Sequence, residues 1–231
     1  QKAESENERK TKELEQARQL QLSMLPKEIP CLPNLDIAVY MKTATEVGGD
    51  YYDFNVGADG TLTVAIGDAT GHGMKAGTIV SMIKALFASS GSKMDMKTYF
   101  KQSSDALKGI ELGRLMMAFL MLRINTNKLH FANAAMPPVY IYKKQSKDVE
   151  EIMISGMPLG AIKDFPYQIR EIEISSGDTI LLLSDGLPEL KNSKDEHYGY
   201  GRVKDEFKSV AEKRSDEIVG YLKNSAAEWV N

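Results

Sequence analysis

One stretch, LTVAIGDATGHG at residues 62–73, narrows what the whole chain can become. Leu62, Val64, Ala65 and Ile66 predict a buried strand, and Gly67-Asp68 ends it in a turn that delivers one carboxylate. Gly71, His72 and Gly73 follow in a loop before helix-like sequence resumes at Met74. Glycines there let the backbone take unusual dihedrals and bring its own amides and carbonyls close to whatever Asp68 holds. A metal ion or a phosphate suits that arrangement.

Two other aspartates have the same setting. Val47-Gly48-Gly49-Asp50 puts an acid directly after a glycine pair, and Asp185 closes the apolar run ILLLSDG at residues 180–186. Taken singly, each is an ordinary turn residue. Together they point to one shared site for a hard cation, because Mg²⁺ and Mn²⁺ take carboxylate, carbonyl and water oxygens. Converging carboxylates repel one another, and a pair of divalent ions resolves that conflict. Two such ions can clamp a phosphate and activate a water for in-line attack, so no protein nucleophile is required. The chain indeed shows no G-x-S-x-G and no H-E-x-x-H. GDATGHG lacks the Lys-Ser/Thr ending of a P-loop and does not fit G-x-G-x-x-G, which argues against an ATPase and a dinucleotide enzyme.

Composition bounds the rest. A chain of 231 residues, 42% hydrophobic, is long enough for one sizeable core, and a net charge of −3 gives no nucleic-acid footprint. The single cysteine, Cys31, excludes an internal disulfide framework and a thiolate metal cluster. No apolar run is long enough to span a bilayer and the start, QKAESENERK, has no signal-peptide core, so a cytoplasmic location is expected. That opening, in the middle of a charge run, reads as a piece of something longer.

In order along the chain, residues 1–25 predict a helix, with Glu6–Lys10 and Glu8–Lys12 pairs and an apolar stripe at Leu14, Ala17, Leu20 and Met24. Such a helix either packs on its own domain or forms the tail of a coiled-coil linker that pairs two chains. Pro26, Pro30 and Pro33 end it, and a second unit, residues 26–231, begins there. Leu35, Ile37, Val39 and Met41 alternate as a half-buried strand does, leading through Thr43-Ala44-Thr45 to the strand of EVGGDYYDF at residues 46–54. A turn at Gly57-Ala58-Asp59-Gly60 then pairs the Asp50 and Asp68 strands as a hairpin. Two helices are expected over 74–89 and 95–107. Strands follow over 115–124, 129–134, 139–142, 152–154 and 167–174, with 143–150 a polar hairpin tip. A strand over 179–185, a flap-like loop and helices over 203–211 and 216–230 complete the chain.

The motifs EVGGDYYDF, IGDATGHG (66–73), NAAMPPVY (133–140), GMPLG (156–160) and LLLSDGLPELKNSKDEHYGYGRV (181–203) occur in an order that resembles the SpoIIE/RsbU-type phosphatases. These form the bacterial branch of the metal-dependent (PPM) serine/threonine phosphatases, and the resemblance covers residues 20–205. It implies an α+β fold, a four-layer α-β-β-α sandwich of two antiparallel sheets flanked by helices. It also implies two Mn²⁺ or Mg²⁺ ions, with Asp68 bridging both, the backbone carbonyl of Ala69 beside it, and Asp50 and Asp185 completing separate sides. His72 falls where related enzymes have a histidine proposed as general acid for the leaving oxygen; otherwise it is a loop histidine bonded to the backbone. The implied substrate is a phosphoserine or phosphothreonine on an anti-anti-sigma factor, a STAS-domain protein in a partner-switching pathway. The implied partners also include an upstream sensor domain and a second copy of the chain, joined through the first helix.

His130 and His197 lack ligand-spaced companions and read as structural, and Lys42 reads as a solvated lysine rather than a phosphate contact. Two departures from the family pattern stand out. Asn133-Ala134-Ala135-Met136 replaces the usual Asn-Ala-Gly-His, and the closing strand with its Asp-Asp pair, one of them a metal ligand, has no counterpart before Asn231. The expectation is therefore a phosphatase domain without its C-terminal strand. The alternative is a non-catalytic sensor or interaction module of the same fold that dimerises through the first helix.

Overall fold

The computed structural model describes residues 2–42, 47–110 and 115–231; the side chains of residues 2–5, 8 and 14 also lie outside the described set. The Glu8–Lys12 pair, Leu14 and residues 43–46 of the predicted strands therefore fall outside it. Among the described residues, eight strands form two sheets. The larger has the order β1-β2-β3-β4-β7 and the smaller β6-β5-β8, every pairing antiparallel. The larger comprises β1 (Asp50–Val56), β2 (Leu62–Ala69), β3 (Met117–Asn125), β4 (Lys128–Ala134) and β7 (Ile169–Glu173). The smaller comprises β5 (Val139–Lys143), β6 (Asp148–Ile152) and β8 (Thr179–Leu181).

Side-chain alternation along β3 sorts the layers. Phe119 and Met121 point to a core shared with α2 (Met74–Ser90) and α3 (Met96–Gly109), where Ile79, Ile83, Tyr99 and Phe100 are buried. Leu120, Leu122 and Ile124 point the other way, into a core between the sheets with Phe131, Val139 and Ile141. The outer face of the small sheet, Tyr140, Tyr142 and Val149, is covered by Val203 and Phe207 of α4 (Tyr200–Val210) and Leu222 of α5 (Ser215–Val230). The result is the expected α-β-β-α sandwich.

The first helix, α1 (Lys2–Met24), packs against α2 by its final turns. Of the predicted apolar stripe, Ala17 and Met24 are half-buried and Met24 Sδ accepts from the Ser81 hydroxyl of α2 at 3.5 Å. Leu20 is 61% exposed, whereas Gln21 is buried. The Gln21 amide donates to the Gly48 carbonyl at 2.7 Å and accepts from the Gly48 N–H at 3.1 Å, so the helix ends in a two-bond clamp on backbone just before Asp50.

Three boundaries differ from the sequence expectation, each for a pairing reason. Leu35, Ile37, Val39 and Met41 are half-buried, with Asp36 and Tyr40 exposed, but among the described residues this segment forms no ladder beyond a single Leu32–Leu35 bridge. Alternation there reports burial, not a partner strand. β6 occupies 148–152, so the hairpin tip shrinks to the residues between Lys143 and Asp148. β8 stops at Leu181 because its register with β5 next brings Leu183 opposite Pro138, which has no N–H to share. At the altered Asn-Ala-Ala-Met site, Ala135 takes φ +69°, a left-handed backbone that favours glycine. Asn133 holds that turn by accepting from the Met136 N–H at 2.7 Å and donating to the Met136 carbonyl at 2.9 Å.

Candidate functional site

The β1–β2 hairpin sets Asp50 directly opposite Asp68, as predicted. Tyr51 and Ala65 of these strands lie in the helix-side core and Val64 and Ile66 in the inter-sheet core, so parity turns both aspartates toward the small sheet. Asp185 follows β8 on that opposing sheet. Its carboxylate lies within electrostatic range of both Asp50 and Asp68, so the three predicted acids meet at one end of the sandwich.

Glycine shapes the floor of the site. A Cβ on Gly49 would stand 2.4 Å from the Ala69 carbonyl oxygen and 2.7 Å from Asp68 Oδ1, so both oxygens face the small space that only glycine leaves open. Past Ala69, Gly71 and Gly73 take φ +85° and +74°, and the Gly73 N–H is held by the Val47 carbonyl at 3.0 Å. This closes the loop that carries His72 against the backbone leading to Asp50. His72 itself is exposed.

Two residues join the site that the sequence did not single out. Ser184 lies beside the Asp50 carboxylate, where its hydroxyl partly offsets the upward push of burial. Glu189 follows Asp185 by one turn, its N–H bonded to the Asp185 carbonyl at 2.9 Å, and adds a fourth negative charge. A four-residue step after a strand-end aspartate was the available signal, since it lays both acids on one face of a turn. His130 pairs with Glu171 at 2.8 Å and His197 with the Glu189 carbonyl at 3.1 Å, the structural roles expected of them. Lys42 is exposed.

Among the described residues, no group of three or more His, Cys, Asp or Glu side chains is drawn together tightly enough to hold a metal ion. The donor set nevertheless suits a hard divalent cation. It is all oxygen, it includes the Gly49-lined cradle, and its members repel one another. Burial, with Asp50, Asp185 and Glu189 nearby, pushes the Asp68 carboxyl up to about 7. Burial raises Asp50 as well, and burial with Glu189 and Asp50 raises Asp185.

Residues 58–229 match the family described as Stage II sporulation protein E (SpoIIE). The chain belongs to the SpoIIE family. It is 27% identical over 187 residues to the phosphoserine phosphatase RsbU of Bacillus subtilis, covering 78% of this chain and 54% of RsbU. It therefore spans about half the length of that relative. In fold it is similar to the SiaA-PP2C domain of Pseudomonas aeruginosa, with a TM-score of 0.82 at 19% identity, covering 97% of this chain and 92% of that one. It is also similar to the PP2C phosphatase domain of SpoIIE from Bacillus subtilis, with a TM-score of 0.64 at 22% identity, covering 79% and 54%.

For this SpoIIE-family domain the acid cluster fixes a pH dependence. Asp68 ionises near its ordinary value when unfolded and near 7 when folded, so between those values the folded state holds a proton that the unfolded state has lost. Stability of the metal-free protein must then fall as pH rises from about 4 to about 7, and Asp50 and Asp185 act in the same direction. Solvent screening of a partly exposed cluster keeps the effect on the order of 1 kcal/mol. Melts in chelator should show a higher Tm near pH 5 than near pH 8, with the difference reduced in Asp68→Asn; an identical pH slope in the two proteins would refute the coupling.

Proposed function

We propose that the domain is a metal-dependent protein serine/threonine phosphatase, and that Asp50, Asp68, Asp185 and the Ala69 carbonyl hold its ions. The observation that carries this reading is the meeting of Asp50 and Asp68 across one hairpin, with Asp185 brought from the second sheet beside a glycine-lined oxygen cradle. Bound there, two Mn²⁺ or Mg²⁺ ions supply Lewis-acid polarisation of a phosphoryl group and of a water molecule. The chain's own contribution is positional. Gly49 leaves room beside the Ala69 and Asp68 oxygens, Ser184 offers a hydroxyl next to Asp50, and Glu189 adds negative charge that favours divalent cations over monovalent ones. His72, exposed on the loop between β2 and α2, would donate a proton to the departing serine or threonine oxygen.

The substrate we propose is a phosphorylated STAS-domain protein of a partner-switching pathway; the likeness to RsbU, named a phosphoserine phosphatase, supports the phosphoserine part of that reading. Residues 1–25 form the linker helix and residues 26–231 the phosphatase unit. The exposed face of α1, with Leu20 in solvent, is placed to pair with a second copy and to receive a signal from an upstream sensor. No helix of the described residues is long and apolar enough to cross a membrane, in keeping with action in the cytoplasm. The test is phosphate release from a phosphoserine protein with Mn²⁺ against the same protein in excess chelator. Release that depends on Mn²⁺ supports the assignment; equal rates in both reject it.

A further inference from the structure

Both sheets leave the site by the same device. From Asp68 the chain passes through a loop that ends at Gly73 (φ +74°), the N-cap of α2; from Asp185 it passes through a loop that ends at Gly199 (φ +85°), the N-cap of α4. Each helix then opens on a large side chain left in solvent, Met74 at 60% and Tyr200 at 39% exposure.

The second loop is folded back on its origin. The Tyr198 N–H donates to the Leu190 carbonyl and the Gly199 N–H to the Pro188 carbonyl, both at 2.8 Å, while Lys191 and His197 form a β-bridge. Tyr200 therefore returns beside Glu189 and Asp185, whose charges reach its phenol. Tyr198 is buried, its ring edge-on to Trp229 at 5.9 Å, and the Arg202 guanidinium stacks over both rings at 4.9 and 4.5 Å. Tyr198 also donates to Glu206, and Trp229 Nε1 donates to the Leu190 carbonyl at 3.2 Å. A rigid, fully bonded base thus presents one aromatic ring, without a hydrogen bond of its own among the described residues, at the rim of the carboxylate cluster. Aromatic rings on a rigid support give contact area at small entropic cost, which suits them to recognition rather than to stability.

We propose that Tyr200 is a specificity-determining residue whose ring packs against an apolar side chain flanking the phosphorylated serine or threonine. The inference rests on the phosphatase reading and deepens it: the preferred substrate carries its phosphate next to a large apolar residue.

The experiment uses two synthetic phosphoserine peptides, identical except for leucine or glycine on both sides of the phosphoserine, with p-nitrophenyl phosphate as a third substrate, all in Mn²⁺. The wild-type chain should favour the leucine peptide by about tenfold in kcat/KM, chiefly through KM. Tyr200→Ser should bring that ratio close to one and Tyr200→Phe should retain it, because the ring and not the hydroxyl makes the contact. A wild-type ratio near one, or a ratio that survives in Tyr200→Ser, overturns the inference, while turnover of p-nitrophenyl phosphate leaves the phosphatase reading standing. No turnover of any of the three overturns both.

Discussion

Replacing Lys84 with methionine should lower the stability of the domain by about 3 kcal/mol, a fall in Tm of roughly 6–12 °C for a chain of this size. Lys84 reaches from α2 to β1, where its ammonium lies 2.6 Å from Asp53 Oδ2; the Asp53 side chain is only 6% exposed. The same oxygen accepts from the Tyr51 hydroxyl at 2.8 Å, and Oδ1 accepts from the Phe54 N–H at 2.9 Å. Burial and the adjacent Asp53 charge push the Tyr51 phenol well above its ordinary range, so it remains a donor at any accessible pH. Methionine fills the space of the lysine stem but leaves a buried carboxylate held by two neutral donors. Breaking one partner of such a pair is what costs the protein most. Adding Asp53→Asn to the lysine variant should recover a large part of the loss, because the orphaned charge goes with it. Urea titrations of the single and double variants decide the matter, and a single variant within 1 kcal/mol of wild type would show that the pair is dispensable.

Asp68→Asn should reduce phosphate release by about 10³-fold or more while leaving the metal-free protein as stable as wild type or more so. The two effects have one origin. Asp68 faces Asp50 across the hairpin and feels Asp185 and Glu189, so its charge strains the empty site and serves the loaded one. Asparagine keeps the shape and abolishes the repulsion. It also removes half of what a divalent cation would see from the hairpin. Loss of activity with an unchanged or raised Tm in chelator separates a role in the site from a role in folding. Wild-type turnover by this variant would remove Asp68 from the machinery altogether.

How far the sequence revealed these features depended on whether they were local. The Asp50–Asp68 pairing was legible because one short turn joins the two strands and parity then fixes which side chains face each other. The arrival of Asp185 was legible through its glycine-flanked setting and the ordered motifs, since no periodicity tells two sheets to stack at a given end. Residues 35–41 misled for a related reason: half-burial against the inter-sheet core writes the same alternation as a paired strand. Glu189 and Ser184 escaped notice because each has an ordinary surface or strand composition around it. The Lys84–Asp53 pair joins residues 31 positions apart, and a lysine on an otherwise amphipathic helix carries no mark of its partner.

α2 is fastened along its length. Its first turn is tied through Gly73 to the Val47 carbonyl, its middle through Lys84 to β1, and its far end by the Arg123 guanidinium of β3, which donates to the Gly91 and Met94 carbonyls at 2.6 Å each. α1 lies on the same helix and grips Gly48. A bar pinned at three stations cannot fray from one end. The loop of His72 is therefore anchored to the same bar that the first helix rests on, and opening it means breaking a tie that the rest of the helix holds in register.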